Sequence, residues 1–198
     1  MPRRLHPRGV LLVAGACLVV LAATVMLLGA FPADVAVREA LLAVATPPVL
    51  RFMHVVNRAG AWRVLLPGTL LLFVVFPRAR ARWWLWPALM IVAPLCEWAL
   101  KHVVGRPRPE HASLSFPSGH ATAAAAFFGA VMYLAGSLPP RWSGPIRVAA
   151  GVMVVLVGLA RVMLRAHWPS DVLGGFALGL LLASLAVLLD ARARPAAA

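Results

Sequence analysis

The feature that most constrains this chain is the recurrence of apolar runs about 20 residues long, enough to cross the roughly 30 Å hydrocarbon core of a bilayer as a helix. Of the 198 residues, 62% are hydrophobic, against about half in a soluble domain. The expectation is an all-α integral membrane protein. There is room for one bundle over residues 1–198 and no stretch that reads as a separate soluble domain.

Six spans are expected: about Gly9 to Phe31, Trp62 to Phe76, Trp83 to Val104, Ser118 to Leu138, Pro145 to Leu164 and Pro169 to Leu189. The first follows the basic "MPRRLHPR", and its apolar stretch is too long for a usual signal core, so an uncleaved first helix is expected. Between the first two spans lies "PADVAVREALLAVATPPVLRFMHVVNRAG". It is too polar for a span and too apolar for a simple loop. Leu41 and Leu42 can form one apolar face, and Val49, Phe52, Met53 and Val56 another. A helix lying in the membrane interface is the reading taken, although Pro47-Pro48 interrupts it. The tail "ARARPAAA" is expected to be without structure.

The formal net charge is +13, from 19 Lys+Arg against 6 Asp+Glu. The basic residues are spread through short loops between spans, which argues against a nucleic-acid partner. Arg3, Arg4 and Arg8, then Arg78, Arg80 and Arg82, then Arg141 and Arg147, then Arg192 and Arg194 fall on alternate connections. By the positive-inside tendency these mark the cytoplasmic face. Both termini are therefore expected in the cytoplasm of an inner, or plasma, membrane. The connections after spans three and five then share the outer face. Cys17 and Cys96 lie inside spans and are expected to be free.

Those two outer connections hold the polar residues that a plain bundle does not need. One reads "KHVVGRPRPEHASLSFPSGH" and the other "ARVMLRAHWPSD". Ionisable groups at membrane depth are costly and need a partner or a task. Lys101, the single lysine, is by itself readable as a snorkelling side chain. Arg106 and Arg108 sit among prolines that stiffen the backbone, and a fixed arginine suits an anion. Ser118 is placed to cap the fourth span. A helix N-terminus attracts phosphate, Gly119 lets a ligand approach the backbone, and His120 lies in the first turn. A plain cap accounts for Ser118 but not for His120. His167 and Asp171 are four residues apart and share a helix face, as a tethering pair or a working one.

Together Lys101, Arg108 and Arg161 outweigh Asp171. Surplus positive charge disfavours a divalent metal and favours a phosphate, so no metal or cofactor is expected. Phosphoryl transfer needs a nucleophile, charge stabilisation and a proton for the leaving oxygen. His167 can attack while Asp171 orients it, and His120 can serve as general acid.

These stretches resemble the type 2 phosphatidic acid phosphatase superfamily, which includes the vanadium haloperoxidases. Lys101 with Arg108-Pro109 matches K-x6-R-P; Pro117 to His120 matches P-S-G-H; Arg161, His167 and Asp171 match S-R-x5-H-x3-D, with Ala160 where the family has serine. The resemblance implies a metal-independent histidine phosphatase in which Lys101, Arg108 and Arg161 hold the phosphate. His167 would be the nucleophile, His120 the acid and Asp171 the orienting group, with Ser118 and Gly119 at the phosphate. Arg106 falls at the wrong spacing and is a helper at best. A lipid phosphate is the expected substrate, undecaprenyl diphosphate the first choice. Phosphatidic acid, phosphatidylglycerol phosphate, lipid A phosphates and lipid-to-lipid phosphotransfer stay open, as does a non-catalytic binder of anionic lipid. Nothing in the pattern specifies an oligomeric state.

Overall fold

The computed structural model describes residues 6–110 and 112–192. Eight helices follow one another: α1 (Pro7–Leu28), α2 (Pro32–Ala43), α3 (Pro47–Ala59), α4 (Trp62–Val75), α5 (Leu85–Val104), α6 (Gly119–Leu134), α7 (Pro140–Met163) and α8 (Pro169–Arg192). Short 3-10 turns follow α4 and α6, at Pro77–Arg82 and Ala135–Ser137. The single β feature among the described residues is an antiparallel bridge between Pro107 and Leu114. Arg3, Arg4, Arg194 and the tail from residue 193 lie outside the described residues; Ala191 and Arg192 continue α8.

Proline punctuates the fold. Five helices begin on one, where the missing N–H would have had no intrahelical partner. This corrects one expected boundary. α7 starts at Pro140, and Pro145 lies inside it, where it costs one backbone bond without ending the helix. Five helices are long and apolar enough to cross a membrane: α1, α5, α6 with its 3-10 extension, α7 and α8. α4 is apolar but has only 14 residues.

The segment expected as one interfacial helix is two helices bent by 115°. The break falls just before Pro47-Pro48, where proline bars the α conformation from its predecessor. α3 lays Met53 and Val56 against Val157, Ala160 and Met163 of α7. α2 buries Asp34 under the start of α8.

α6 is the central helix. Ala121 to Ala126 are almost wholly buried, and small side chains let α8 come close. A Cβ on Gly175 would stand 2.6 Å from the Ser118 carbonyl oxygen and 2.8 Å from Ala121 Cβ. Close approach through small residues is how membrane helices gain packing without a hydrophobic drive. Large apolar side chains instead face outward, Leu27 at 83% and Val74 at 72% exposure, as suits a lipid solvent. At one end of the bundle Arg78 Nη2 donates to Tyr133 Oη (2.6 Å), whose hydroxyl donates to Asp190 Oδ2 (2.7 Å). The opposite end carries the site.

Candidate active site

The site is assembled from two connections that meet at the N-terminal ends of α6 and α8. α5 ends at Gly105, whose φ of 68° is left-handed and whose N–H donates to the Lys101 carbonyl at 2.8 Å. The chain then folds back as a short hairpin. Arg108 N donates to Ser113 O (3.1 Å), and Ser115 N to Arg106 O (2.7 Å). Arg108 Nε donates to Leu114 O at 3.2 Å, which holds its guanidinium. Beyond it Phe116 packs against the bare face of Gly174, and the Phe116–Pro117 peptide is cis.

The second connection is just as tightly turned. Ala166 N and His167 N both donate to the Arg161 carbonyl, at 3.1 and 3.2 Å, and Arg165 takes a φ of 59°. Ser118 N then donates to the Asp171 carbonyl at 2.9 Å, a direct tie between the two motifs.

These turns bring Lys101, Arg108, Gly119, His120, Arg161 and His167 around one cavity of about 330 Å³. Arg161 is buried and anchored by Asn57 Oδ1 at 2.7 Å. Asp171 is fully buried behind the cavity, its Oδ2 facing His167 Nδ1 at 3.4 Å. At that separation, beyond the usual range of about 2.7–3.2 Å for such a bond, Nδ1 makes no hydrogen bond. The reason is competition: the same oxygen accepts from Ser115 Oγ and from Trp168 N (2.8 Å). Ser118 takes the N-cap position, but its side chain makes no capping bond; Oγ is buried without a partner and does not line the cavity. Ala160 is wholly buried in the apolar cluster with Met53 and Val56, a place that suits a methyl group.

Burial is the main influence on His167, pushing its imidazole down to about 4; the Arg161 and Arg108 charges add to this and Asp171 opposes it. The ring is therefore neutral at physiological pH. Among the described residues no group of three His, Cys, Asp or Glu is placed to hold a metal ion.

Sequence reasoning missed or underrated four residues of this site. Glu97 lines the cavity and pairs with Lys101 across one helical turn. Its carboxylate also approaches the start of α6, where a Cβ on Gly119 would stand 2.9 Å from Oε1. An acid inside an apolar span was the available signal. Arg106, read as a helper at best, is 4% exposed and bonded to both Asp171 and Asp34. Asn57 and Asp34 had no signal, since the segment between the first two spans carries no motif. Beside the cavity, and sharing Trp62, Pro94 and Glu97 with it, runs an apolar groove between α4 and α5.

A helical membrane bundle with a cationic, two-histidine cavity at one end defines a class of membrane protein built to handle a phosphate. The PAP2 superfamily matches residues 82–195, more than half the chain, and the chain belongs to that superfamily. Phosphatidylglycerophosphatase B of Bacillus subtilis is 35% identical over 161 residues, 76% of this chain and 79% of that one. Decaprenylphosphoryl-5-phosphoribose phosphatase of Mycobacterium tuberculosis is 34% identical over 137 residues, 64% and 70% of the two chains. The crystal structure of a transmembrane PAP2-type phosphatidylglycerolphosphate phosphatase from Bacillus subtilis superposes with a TM-score of 0.81 at 30% identity. It covers 96% of this chain and 98% of its own.

Proposed function

We propose that the protein is a membrane lipid phosphate phosphatase working through a phosphohistidine, without a metal. The observation that carries the reading is the convergence of Lys101, Arg108, Arg161, His120 and His167 on one cavity that opens beside an apolar groove. Three cations can neutralise the phosphoryl oxygens, and the groove can keep an acyl or prenyl chain in an apolar setting while the headgroup enters.

His167 Nδ1 faces Asp171, which leaves Nε2 for phosphorus. Nε2 attacks, the N–P bond forms, and the bond from phosphorus to the leaving oxygen breaks. His120 gives that oxygen its proton. Water then attacks phosphorus and loses a proton to His120, and the N–P electron pair returns to His167. Asp171 orients the ring and balances its charge while it carries the phosphoryl group.

Similarity over three quarters of both chains to a phosphatidylglycerophosphatase moves the first choice of substrate to phosphatidylglycerophosphate. Undecaprenyl diphosphate stays second, supported by a short α5–α6 hairpin that offers little to recognise a large headgroup. The distribution of arginines among the connections supports a site on the outer face of the plasma membrane. The test is phosphate release in detergent from both lipids, phosphatidic acid and a lipid A phosphate, with EDTA present. Activity is expected on at least one, to be lost in His167→Ala. Full turnover by that variant refutes the nucleophile assignment, and loss in EDTA reversed by a divalent ion refutes the metal-free reaction.

A further inference from the structure

Arg106 is a buried cation that the cavity does not use. Its Nη1 donates to Asp171 Oδ1 and to Ser170 Oγ, both at 2.7 Å. Its Nη2 donates to Asp34 Oδ2 at 2.5 Å and to the Gly29 carbonyl at 3.1 Å. Asp34, 2% exposed, also accepts from Ser170 N (2.8 Å) and Ser170 Oγ (2.6 Å). One guanidinium thus ties the α1–α2 turn and the first turn of α8 to the hairpin.

Two consequences follow for His167. The first is aim. With Oδ1 held by Arg106, and Oδ2 by Ser115 Oγ and Trp168 N, the Asp171 carboxylate cannot rotate freely, and Oδ2 faces the imidazole at 3.4 Å. The second is charge. A guanidinium paired to one carboxylate is neutral, and a neutral pair projects little field. With Asp34 included, two carboxylates and one guanidinium leave a formal charge of −1 behind the histidine.

We propose that Arg106 and Asp34 are positioning residues of the reaction: Arg106 aims the Asp171 carboxylate at His167, and Asp34 restores the negative charge that Arg106 would otherwise cancel. The proposal rests on His167 being the nucleophile.

It is tested on the full chain in detergent with dioctanoyl phosphatidic acid, through kcat, KM and the acid limb of the kcat profile. The other groups facing His167 are Arg161 from α7, His120 from α6, Lys101 and Glu97 from α5, and Arg108 from the hairpin. They are constant across the variants. Less negative charge behind the ring makes it harder to protonate, so the neutral nucleophile persists to lower pH. Asp34→Asn keeps the shape and removes one negative charge. It should lower kcat about 10- to 100-fold, the scale of a slightly misplaced reacting group, leave KM within about threefold, and move the limb down by about half a unit to one unit. Arg106→Met should move the limb up, and the double variant should return it to its wild-type position. A structural role alone would shrink the active fraction in all three and leave the limb where it was. An unmoved limb in whichever single variant folds overturns the proposal. His167→Ala separates the two readings: activity there refutes the phosphohistidine, whereas an inactive His167→Ala with unmoved limbs refutes only this inference.

Discussion

Gly175→Ala adds one methyl group at the place where α8 comes closest to the mouth of α6. The new Cβ would stand 2.6 Å from Ser118 O, 2.8 Å from Ala121 Cβ and 3.1 Å from Thr122 N, where ordinary contacts begin near 3.4 Å. Two of these neighbours are backbone atoms, so no rotamer change relieves the clash. The helices must part by some tenths of an ångström. Overpacking of this kind costs about 1–3 kcal/mol, and the gain in helix propensity over glycine returns about 1 kcal/mol. The net loss of stability should be at most about 2 kcal/mol, a modest fall in melting temperature in detergent. Activity should fall further. The same shift strains the Ser118 N to Asp171 O bond and carries His120 away from His167, and a misplacement approaching 1 Å can cost about 10²-fold in rate. Gly144→Ala on α7, with nothing within 4 Å, is the matched control and should leave kcat unchanged. A Gly175→Ala protein with wild-type melting and wild-type kcat would refute the argument that this contact sets the register of the two motifs.

His120→Asn should lower kcat on a lipid phosphate about 10²- to 10⁴-fold, the usual contribution of a general acid, but far less on p-nitrophenyl phosphate, whose leaving group needs no proton. Because burial holds His167 down to about 4 and protonation removes the nucleophile, the acid limb of the wild-type rate should fall in that region; an acid limb near the usual histidine value of about 6.5 would contradict it. Glu97→Gln releases Lys101 from its ion pair and should lower KM for a diphosphate by up to about fivefold, matching roughly 1 kcal/mol for such a pair. A periplasmic reporter fused after Glu110 should be active, and an inactive one would reverse the orientation.

The sequence made the helices legible because lipid demands length and apolarity together. It also showed which residues gather, since Lys101, Arg108, His120, Arg161 and His167 lie at helix ends that topology brings to one face. What it hid was pairing. Asp34 reads as one charge among several in a long connection, and only the folded chain sets it against Ser170. Arg106 differs from Arg108 by two positions in a stiff hairpin, yet one is buried against carboxylates and the other lines the cavity. Spacing alone ranks such neighbours; it does not say which way each one points. Four-residue spacing brings His167 and Asp171 face to face but says nothing of Ser115 and Trp168, which donate to the same carboxylate oxygen.

The connection between α1 and α4 contributes a partner to each of two arginines: α2 gives Asp34 to Arg106, and α3 gives Asn57 to Arg161. Both lie before residue 82, where the family match begins. A chimera spliced at that boundary would carry all three motifs and still inherit the anchors of its donor. Swaps between family members should therefore exchange activity cleanly only when residues 32–59 travel with the motifs. A split protein cut after Phe76 would be expected to work again only when the front piece is supplied in trans.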